Sequence, residues 1–254
     1  MTPRPITVST YNMHKGMSAL NRKVQLDDMA AAFDHIRPDI LFLQEVQGLN
    51  LTRSRKRDNF PARAHHDILG RRLAYYSSYG QNATFKEKHH GNAILSRLPI
   101  DTRRNLDITV NRLEKRGVLH CEIRPEGWTR SVVCLCAHLN LLETDRAKQY
   151  TALFEYITTY IDAASPLILA GDFNDWRTKS YRHIGRTLGL EEVFLSHFGT
   201  HPKTFPARLP VLSLDRIYTR NLQILDAQIH NHAPWTHLSD HLPLSATLLP
   251  GRTT

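Results

Sequence analysis

Three polar side chains follow directly on an apolar run in residues 167–175, which read LILAGDFND. The run has no alternation of apolar and polar residues, a pattern typical of a strand that is covered on both faces. Asp172, Asn174 and Asp175 stand at its carboxyl end. Such residues commonly end strands, because their side chains hydrogen-bond the adjacent backbone. A simple turn therefore competes with a chemical site as the interpretation of this segment.

Further polar groups stand at the ends of other strand-like runs. Asn12 ends the first run, Glu45 follows the apolar residues of the second, and Asp240 and His241 precede the last. A carboxylate at the end of a buried strand is costly unless it is paired or binds a metal. If these strand ends meet in one crevice, they form an oxygen-rich metal site. The alternatives are a strand end that reaches solvent for Glu45 and a turn or helix cap for Asp240.

The elements that must position these groups are mostly strands. Two amphipathic helices are predicted, from about Val24 to Ile36 and from about Asp145 to Ile161, with apolar stripes in the core that include Tyr160. Several strands follow one another without a helix between them, so two packed sheets with outer helices fit better than one doubly wound parallel sheet. The predicted strands are Ile6–Asn12, Ile40–Glu45, Asn92–Ser96, Gly117–Ile123, Ser131–Leu139, Pro166–Asp172, Leu214–Tyr218, Leu222–Ile229 and Leu242–Leu248.

The composition favours one basic domain with a polyanionic partner. The 254 residues contain no linker, repeat or low-complexity tract, so we predict a single domain over residues 1–254. The formal charge of +9 favours nucleic acid or an anionic lipid surface without choosing between them. Cys121, Cys134 and Cys136 lack metal-ligand spacing, which indicates reduced core residues. The sequence has no apolar stretch typical of a signal peptide or membrane span, so we expect a soluble, cytoplasmic protein. We also expect a monomer.

Seven short blocks, spread over nearly the whole chain, contain most of these polar residues. They are STYN at 9–12, LQEV at 43–46, GNAILSR at 91–97, AHLNL at 137–141, GDFN at 171–174, LDRIY at 214–218 and SDH at 239–241. Their order resembles the endonuclease/exonuclease/phosphatase superfamily. The AHLNL block is similar to that of DNase I, tyrosyl-DNA phosphodiesterases and sphingomyelinases rather than to exonuclease III-like abasic-site enzymes. The resemblance implies an α/β fold with a four-layered α/β/β/α sandwich, which agrees with the strand count.

By this resemblance, the first, second and last blocks bind a divalent metal ion. Glu45 is the principal Mg²⁺ ligand, and Asn12 and Asp240 complete or support the site. Oxygen ligands and retained waters are what Mg²⁺ prefers in proteins. We expect Mg²⁺ as the cofactor, with Mn²⁺ as an alternative ion.

The resemblance also assigns the remaining polar groups to catalysis. Asp172 is the expected base that orients and deprotonates the attacking water, and Asn174 is a neutral donor to the transition state. His241 is expected to contact the scissile phosphate, with Asp215 fixing its tautomer and raising its basicity. His138 is expected to be a second donor or acid near a phosphate oxygen. The resemblance therefore favours a chemical site over a simple turn for Asp172 and Asn174.

Four further residues are candidates for binding the substrate. Arg116 and Asn92 lie in blocks that often contribute phosphate or indirect site contacts in relatives, although Arg116 also fits a solvated cation at a strand edge. The segment TRSRKRD at 52–58 supplies Arg55 and Arg57 as candidates for contacting a nucleic-acid backbone. A solvated loop is the alternative interpretation of that segment.

We therefore predict a Mg²⁺-dependent phosphodiesterase that hydrolyses nucleic acid, DNA in preference to RNA, by in-line attack of water. The runner-up is a phospholipid, sphingomyelin or small-molecule phosphoesterase of the same superfamily, because a fold does not choose its substrate. A non-catalytic binding module with the same fold is the third class. It is disfavoured because every acidic and histidine residue of the pattern is present.

Overall fold

The computed structural model describes residues 2–19, 23–56, 60–61 and 63–251, without the side chains of Lys56 and Phe85. Its strands are β1 (Ile6–Asn12), β2 (Ile40–Asn50), β3 (Tyr76–Phe85), β4 (Lys88–Ser96), β5 (Ile100–Asp107), β6 (Gly117–Ile123), β7 (Val132–His138), β8 (Leu167–Asp172), β9 (Glu191–Glu192), β10 (Asp215–Arg220), β11 (Leu222–Ile229) and β12 (Leu244–Pro250). Its α-helices are α1 (Leu26–Ile36), α2 (Leu51–Lys56), α3 (His65–Leu73), α4 (Glu143–Tyr160), α5 (Val193–Phe198) and α6 (Trp235–Leu238). A 3₁₀ turn spans His14–Gly16 and a π-helical turn spans Tyr181–Gly185.

The strands form two six-stranded sheets. The first has the order β11-β12-β1-β2-β4-β3, and the second has the order β5-β6-β7-β8-β10-β9. β1 pairs with β2 in parallel, as does β7 with β8, and the other neighbours are antiparallel. A parallel pair needs a long crossover connection. α1 and α4 provide these two crossovers, one on each sheet.

Three apolar clusters define four layers. The central cluster joins side chains of both sheets, such as Phe42 from β2 and Ile168 from β8. A second cluster packs the outer face of the first sheet against α1, α3 and α6, with Phe33 and Trp235 at its centre. The third packs α4 against the outer face of the second sheet. These layers confirm the predicted α/β/β/α sandwich.

The central strands lie close to their predicted positions, and the sheet edges do not. β1, β6 and β11 have the predicted bounds. β3 and β5 were not predicted, because edge strands such as β5 are largely exposed and carry no apolar alternation. Tyr160 was wrongly predicted to be core. It is 62% exposed at the end of α4, where its ring covers the guanidinium of Arg104 on β5.

Two features of this architecture prepare the site. The parallel pairs bring the carboxyl ends of β1 and β2 to one edge of the first sheet, and those of β7 and β8 to one edge of the second. Hydrogen bonds link the two edges across the sandwich, as from Asn12 to Asp172. Among the described residues, no helix is both long and apolar enough to cross a bilayer.

Candidate active site

Strand register in the second sheet places three ionisable side chains in a row. His138 at the end of β7 pairs with Asp172 at the end of the parallel strand β8. Asp215 at the start of the antiparallel strand β10 pairs with Asp172 from the other side. All three residues are buried. Residues that are far apart in sequence therefore become neighbours through backbone pairing alone.

Asp172 is the centre of a buried hydrogen-bonded network. Its Oδ2 accepts a hydrogen bond from Asn12 Nδ2 at 2.9 Å, and its Oδ1 accepts one from the backbone N–H of Asn174 at 2.9 Å. Two imidazoles flank the same Oδ2, with His138 Nε2 at 3.5 Å and His241 Nε2 at 3.8 Å. One carboxylate thus faces two possible proton donors in a site shielded from bulk water.

Asp215 holds His241 from behind. The imidazole Nδ1 of His241 lies 2.9 Å from Asp215 Oδ2, which also accepts a hydrogen bond from Thr204 Oγ1 at 2.6 Å. Because a carboxylate oxygen accepts, Nδ1 carries the proton in this arrangement. Nε2 is thereby directed toward Asp172. The ring of Phe205 packs on the imidazole at a centroid distance of 5.1 Å and further limits its orientation.

Burial and neighbouring charges shift the pKa values of Asp172, His241 and His138 in different directions. Burial raises the pKa of Asp172 to about 6, and the negative charge of Asp215 adds to that effect. Burial alone would lower the pKa of His241, but the carboxylates of Asp215 and Asp172 outweigh it and raise that pKa to about 10. Burial and the charge of Arg116 instead keep the pKa of His138 well below its usual value. At neutral pH, His241 is cationic and His138 is neutral.

Asn174 and Asp175 have different surroundings although they are adjacent. Asn174 adopts a left-handed backbone conformation with φ of 49°, which Asn tolerates better than most residues. Its side-chain amide donates to the carbonyl of Leu139 at 2.9 Å and leaves one N–H for another partner. Asp175 accepts a hydrogen bond from the backbone N–H of Ser180 at 2.6 Å. Its side chain therefore stabilises the turn that follows β8.

Glu45 leaves the regular course of β2 at an irregularity between Leu43 and Val46. Its backbone φ is 53°, a left-handed conformation that is strained for a residue with a side chain. The carboxylate is partly exposed, and its Oε2 lies 3.2 Å from the ammonium of Lys15. The strain is typical of functional sites, where the surrounding structure holds the backbone in place.

Asp240 lies close enough to Glu45 for the two carboxylates to interact electrostatically. Its Oδ2 lies 3.2 Å from His14 Nδ1, and its Oδ1 accepts a hydrogen bond from Ser239 Oγ at 3.2 Å. The same Ser239 hydroxyl lies 2.8 Å from the backbone carbonyl of Asn12. These contacts tie the SDH block to the end of β1. His14 therefore contacts Asp240, and its neighbour Lys15 forms an ion pair with Glu45.

Electrostatic interactions favour ionised carboxylates at both positions. Burial opposes ionisation of Glu45, but the imidazole of His138, the ammonium of Lys15 and His14 lower its pKa to about 2. Burial also opposes ionisation of Asp240, yet the hydrogen bond from His14 and the charge of His241 lower its pKa. Two anionic oxygen donors beside the amide of Asn12 match the ligands that Mg²⁺ prefers.

A second group of potential ligands lies beside this pair. Within the described ranges, Asp172, Asp215 and His241 place ligand atoms within 4.8 Å of one another. The hydrogen bond between Asp215 and His241 already occupies two of those atoms. The donor set of Glu45, Asp240 and Asn12 is rich in oxygen and partly open, and it is the better fit for a hard divalent ion.

Of the predicted substrate-binding residues, Arg116 lines the cavity beside Glu45, whereas Asn92 is buried. Arg116 lies beside Glu45 on a cavity of about 460 Å³ and pairs with Glu114 at 3.0 Å. Asn92 is buried between the sheets, where both N–H groups of its amide donate to the carbonyls of Gly117 (2.8 Å) and Cys136 (3.1 Å). Both N–H groups of Asn92 already have an acceptor, so they do not make the predicted contact with a phosphate. Asn92 links the two sheets instead.

The described part of the basic segment after β2, residues 52–56, belongs to the short helix α2 rather than to a loop. Arg55 on α2 forms an exposed ion pair with Glu87 at 2.9 Å, and it does not line the Glu45 cavity. Arg57 lies outside the described residues. The prediction that Arg55 binds substrate therefore has no support from a cavity shared with Glu45, and the role of Arg57 stays a prediction.

Sequence reasoning missed several residues that line the site. Lys15 was present in the block after Asn12 but was not assigned a role, and Arg112 and Lys115 precede Arg116 on the loop beside the cavity. These three residues lie within a few positions of Asn12 or Arg116, and that proximity in sequence could have identified them. Thr204 had no such signal, because its contact with Asp215 depends on a distant loop.

The chain belongs to the Endonuclease/Exonuclease/phosphatase family, whose pattern matches residues 9–241. It is 39% identical over 241 residues to the uncharacterized protein YbhP of Escherichia coli (strain K12), a match that covers 95% of each chain. YbhP of Shigella flexneri matches to the same extent. These matches confirm the family that the block order predicted.

Solved structures share the fold at low sequence identity. An endonuclease/exonuclease/phosphatase from Beutenbergia cavernae aligns with a TM-score of 0.79 and 18% identity, covering 98% of this chain and 72% of that one. D. rerio TDP2 complexed with single strand DNA product aligns with a TM-score of 0.70 and 16% identity, covering 96% of this chain and 98% of that one. The fold is thus a DNase I-like sandwich of this family.

Proposed function

We propose that the protein is a Mg²⁺-dependent phosphodiesterase that hydrolyses its substrate by in-line attack of water. The observation that carries this proposal is the buried carboxylate of Asp172 between two imidazoles, 3.5 Å and 3.8 Å away. The partly open carboxylates of Glu45 and Asp240 stand in the adjoining cleft. A base, a cationic donor and a hard-metal donor set are the groups that phosphodiester hydrolysis requires.

The metal ligands would be Glu45, Asp240 and the amide oxygen of Asn12. When bound, Mg²⁺ supplies positive charge that stabilises the charge developing on the phosphoryl oxygens. Mn²⁺ is the alternative ion, since carboxylate and amide oxygens suit both. Lys15 forms an ion pair with Glu45, and His14 Nδ1 lies 3.2 Å from Asp240 Oδ2, so each of these carboxylates already faces a donor.

Asp172 would act as the base. A pKa of about 6 leaves its carboxylate largely ionised at neutral pH and still basic enough to take a proton from the attacking water. The water oxygen forms the new bond to phosphorus, the proton passes to Asp172, and the bond from phosphorus to the leaving oxygen breaks. The hydrogen bonds from Asn12 and from the backbone of Asn174 hold the carboxylate in one orientation.

His241, His138 and Asn174 would stabilise the developing charge. The raised pKa of His241 keeps it cationic, so its Nε2–H can donate to a phosphoryl oxygen. The low pKa of His138 favours a neutral hydrogen-bond donor over the acid role. The free amide N–H of Asn174 would be a third donor. Removing one such donor from an enzyme typically costs about 10²–10³ in turnover.

DNA is the first substrate class that we propose. The formal charge of +9 supports a polyanionic substrate, and D. rerio TDP2, which shares the fold, is complexed with a single strand DNA product. A phospholipid is the second class, supported by the exposed apolar side chains around the cleft that are described below. The cytoplasmic location and the monomeric state stay predictions.

A substrate panel tests this proposal. Wild-type protein and Asp172→Asn would be incubated with Mg²⁺ and plasmid, single-stranded DNA, RNA, a phospholipid panel and bis-p-nitrophenyl phosphate. We expect hydrolysis by the wild type, loss of nearly all of it in the variant, and none in EDTA. Hydrolysis that survives both EDTA and the substitution would contradict the assigned site. Binding without hydrolysis of any substrate would favour a non-catalytic module.

A further inference from the structure

Large exposed apolar side chains collect on the loops around the catalytic cleft. Between 42% and 95% of each is exposed, and Leu113 at the top of that range is almost completely exposed. Together they form a surface that we call the apolar rim, which consists of Leu113, Leu141, Leu142, Trp176, Leu209 and Val211. Monomeric soluble proteins rarely gather such residues in one place unless the surface binds something.

Contacts with site residues show that these loops border the cleft. Leu113 lines the same cavity as Glu45. Leu141 and Leu142 follow Leu139, whose carbonyl accepts the hydrogen bond from Asn174. On the other side, the loop that bears Leu209 and Val211 is tied to Asp240, because the backbone N–H of Ala207 donates to the Asp240 carbonyl at 2.8 Å. The rim therefore approaches the catalytic groups from at least two sides.

Leu113 is held outward by polar contacts rather than by packing. Asn111 Oδ1 accepts hydrogen bonds from the backbone N–H groups of Leu113 and Glu114, both at 2.8 Å. Asn111 Nδ2 in turn donates to Asp145 on α4 at 2.6 Å. The loop tip is thus fixed with a leucine facing solvent. Packing within the protein does not bury that side chain, so it is available to a partner.

Unpaired cations lie on the same loops. Arg112 and Lys115 flank Leu113, while Lys203 and Arg208 lie on the loop of Leu209, and all four are exposed. None of them forms an ion pair with a described residue. Two acidic side chains nearby are already paired, Glu114 with Arg116 and Glu143 with Arg177 and Lys179, while Asp145 accepts hydrogen bonds from Asn111 and Asn140. The rim therefore carries surplus positive charge and is complementary to an anionic surface.

We propose that the apolar rim docks on the surface of an anionic lipid bilayer, with the catalytic cleft facing the headgroups. Leucine and tryptophan side chains enter the boundary between headgroups and acyl chains, and Lys and Arg are attracted to acidic lipids. A nucleic-acid strand accounts for the cations only. Surfaces that hold single strands stack bases on aromatic rings, and five of the six rim residues are aliphatic.

This inference deepens the phospholipid alternative and rests on the proposed function only for the identity of the cleft. Docking itself is a binding event and can be measured without turnover. In EDTA, the metal-dependent reaction that we propose does not proceed, so vesicle binding is read separately from hydrolysis. A protein that hydrolyses bis-p-nitrophenyl phosphate but does not bind vesicles would refute the docking inference alone. One that binds vesicles without hydrolysing any diester would refute the proposed function alone.

The experiment is co-sedimentation of the full chain with vesicles in EDTA. One set of vesicles contains phosphatidylcholine alone, and the other contains equal amounts of phosphatidylcholine and phosphatidylglycerol. Wild type would be compared with the rim variant Leu113→Ser/Leu209→Ser. The matched control is Tyr76→Ser/Tyr160→Ser, which removes two apolar side chains of similar exposure, 55% and 62%, away from the rim. Thermal unfolding would establish that both variants are folded.

We expect wild type and control to bind the anionic vesicles with similar affinity. The rim variant should bind at least about tenfold more weakly for each leucine removed, because full burial of a leucine side chain corresponds to about ten- to a hundredfold in affinity. Replacing Arg112 and Lys115 by Gln should weaken the preference for phosphatidylglycerol by about fivefold per cation, while Lys203 and Arg208 retain the rest.

Three results would overturn the proposal. A wild-type protein that does not bind anionic vesicles would refute the docking proposal. Equal binding by the rim variant and the wild type would show that the leucines are not inserted. A rim variant that loses affinity for a single-stranded oligonucleotide and keeps its affinity for vesicles would assign the rim to nucleic acid instead.

Discussion

Replacing Asp215 by Asn removes a negative charge from the buried row behind the reacting groups while keeping the shape of the side chain. The amide oxygen can still accept the hydrogen bonds from Thr204 and His241. The negative charge of Asp215 raises the pKa of both His241 and Asp172, so the substitution should lower both. The geometry should survive, and the pH range of activity should move to lower pH.

The size of the shift follows from the distance. His241 Nδ1 lies 2.9 Å from Asp215 Oδ2, which places the charge centres about 4 Å apart. At an effective dielectric constant of about 20, charges about 4 Å apart interact with about 4 kcal/mol, which corresponds to about three pKa units. Relaxation and solvent reduce this value, so we expect the pKa of His241 to fall by about one to three units.

The assay is the pH dependence of kcat/KM with bis-p-nitrophenyl phosphate and Mg²⁺. In the wild type, activity requires ionised Asp172 and protonated His241, so kcat/KM should fall below about pH 6 and above about pH 10. In Asp215→Asn the alkaline fall should begin between about pH 7 and pH 9, after a downward shift of about one to three units. The acidic limit should move below pH 6.

A control and a refuting result complete this test. Asp175→Asn neutralises another buried carboxylate, one that accepts from the Ser180 backbone and does not contact His241 among the described residues, so it should leave both limits in place. If Asp215→Asn lowers activity without moving the alkaline limit, the carboxylate does not act through His241. Weaker Mg²⁺ binding in that variant would then indicate direct metal ligation.

Three further predictions concern single residues. Glu45→Gln should lose most activity at saturating Mg²⁺ without a change in thermal unfolding, since it removes a charged metal ligand and no core volume; activity within about threefold of wild type would sink the metal-site assignment. Lys15→Met should bind Mg²⁺ more tightly by calorimetry, because the ammonium 3.2 Å from Glu45 no longer competes, and unchanged or weaker binding would refute that competition. Asn174→Ala and His241→Ala should each reduce kcat by about 10²–10³, and His241→Ala should be more damaging than Asp215→Asn. A reversed order would give Asp215 a role of its own.

The central strands were largely predictable from the sequence, as were the residues that the structure brings together in the candidate site. An apolar run that ends in polar residues is a local pattern, so β1 and β8 could be located without knowledge of their neighbours. Edge strands carry no such pattern, because one side of the backbone and much of the side-chain surface face water. β5 was missed for that reason. Asn92 shows a further limit, since its block was recognisable but its burial between the sheets was not.

The sequence by itself therefore determined the fold class, the family and the residue types available for chemistry, since all three depend on the order of residues along the chain. Only the tertiary structure decided which side chains share a network. His138, Asp172 and Asp215 are neighbours because three separate segments pair in one register. The same packing placed Leu113 and Leu209 on loops at one cleft, where local sequence shows only isolated exposed leucines. Strand pairing and loop packing join residues that are distant in sequence, so no local pattern contains that information.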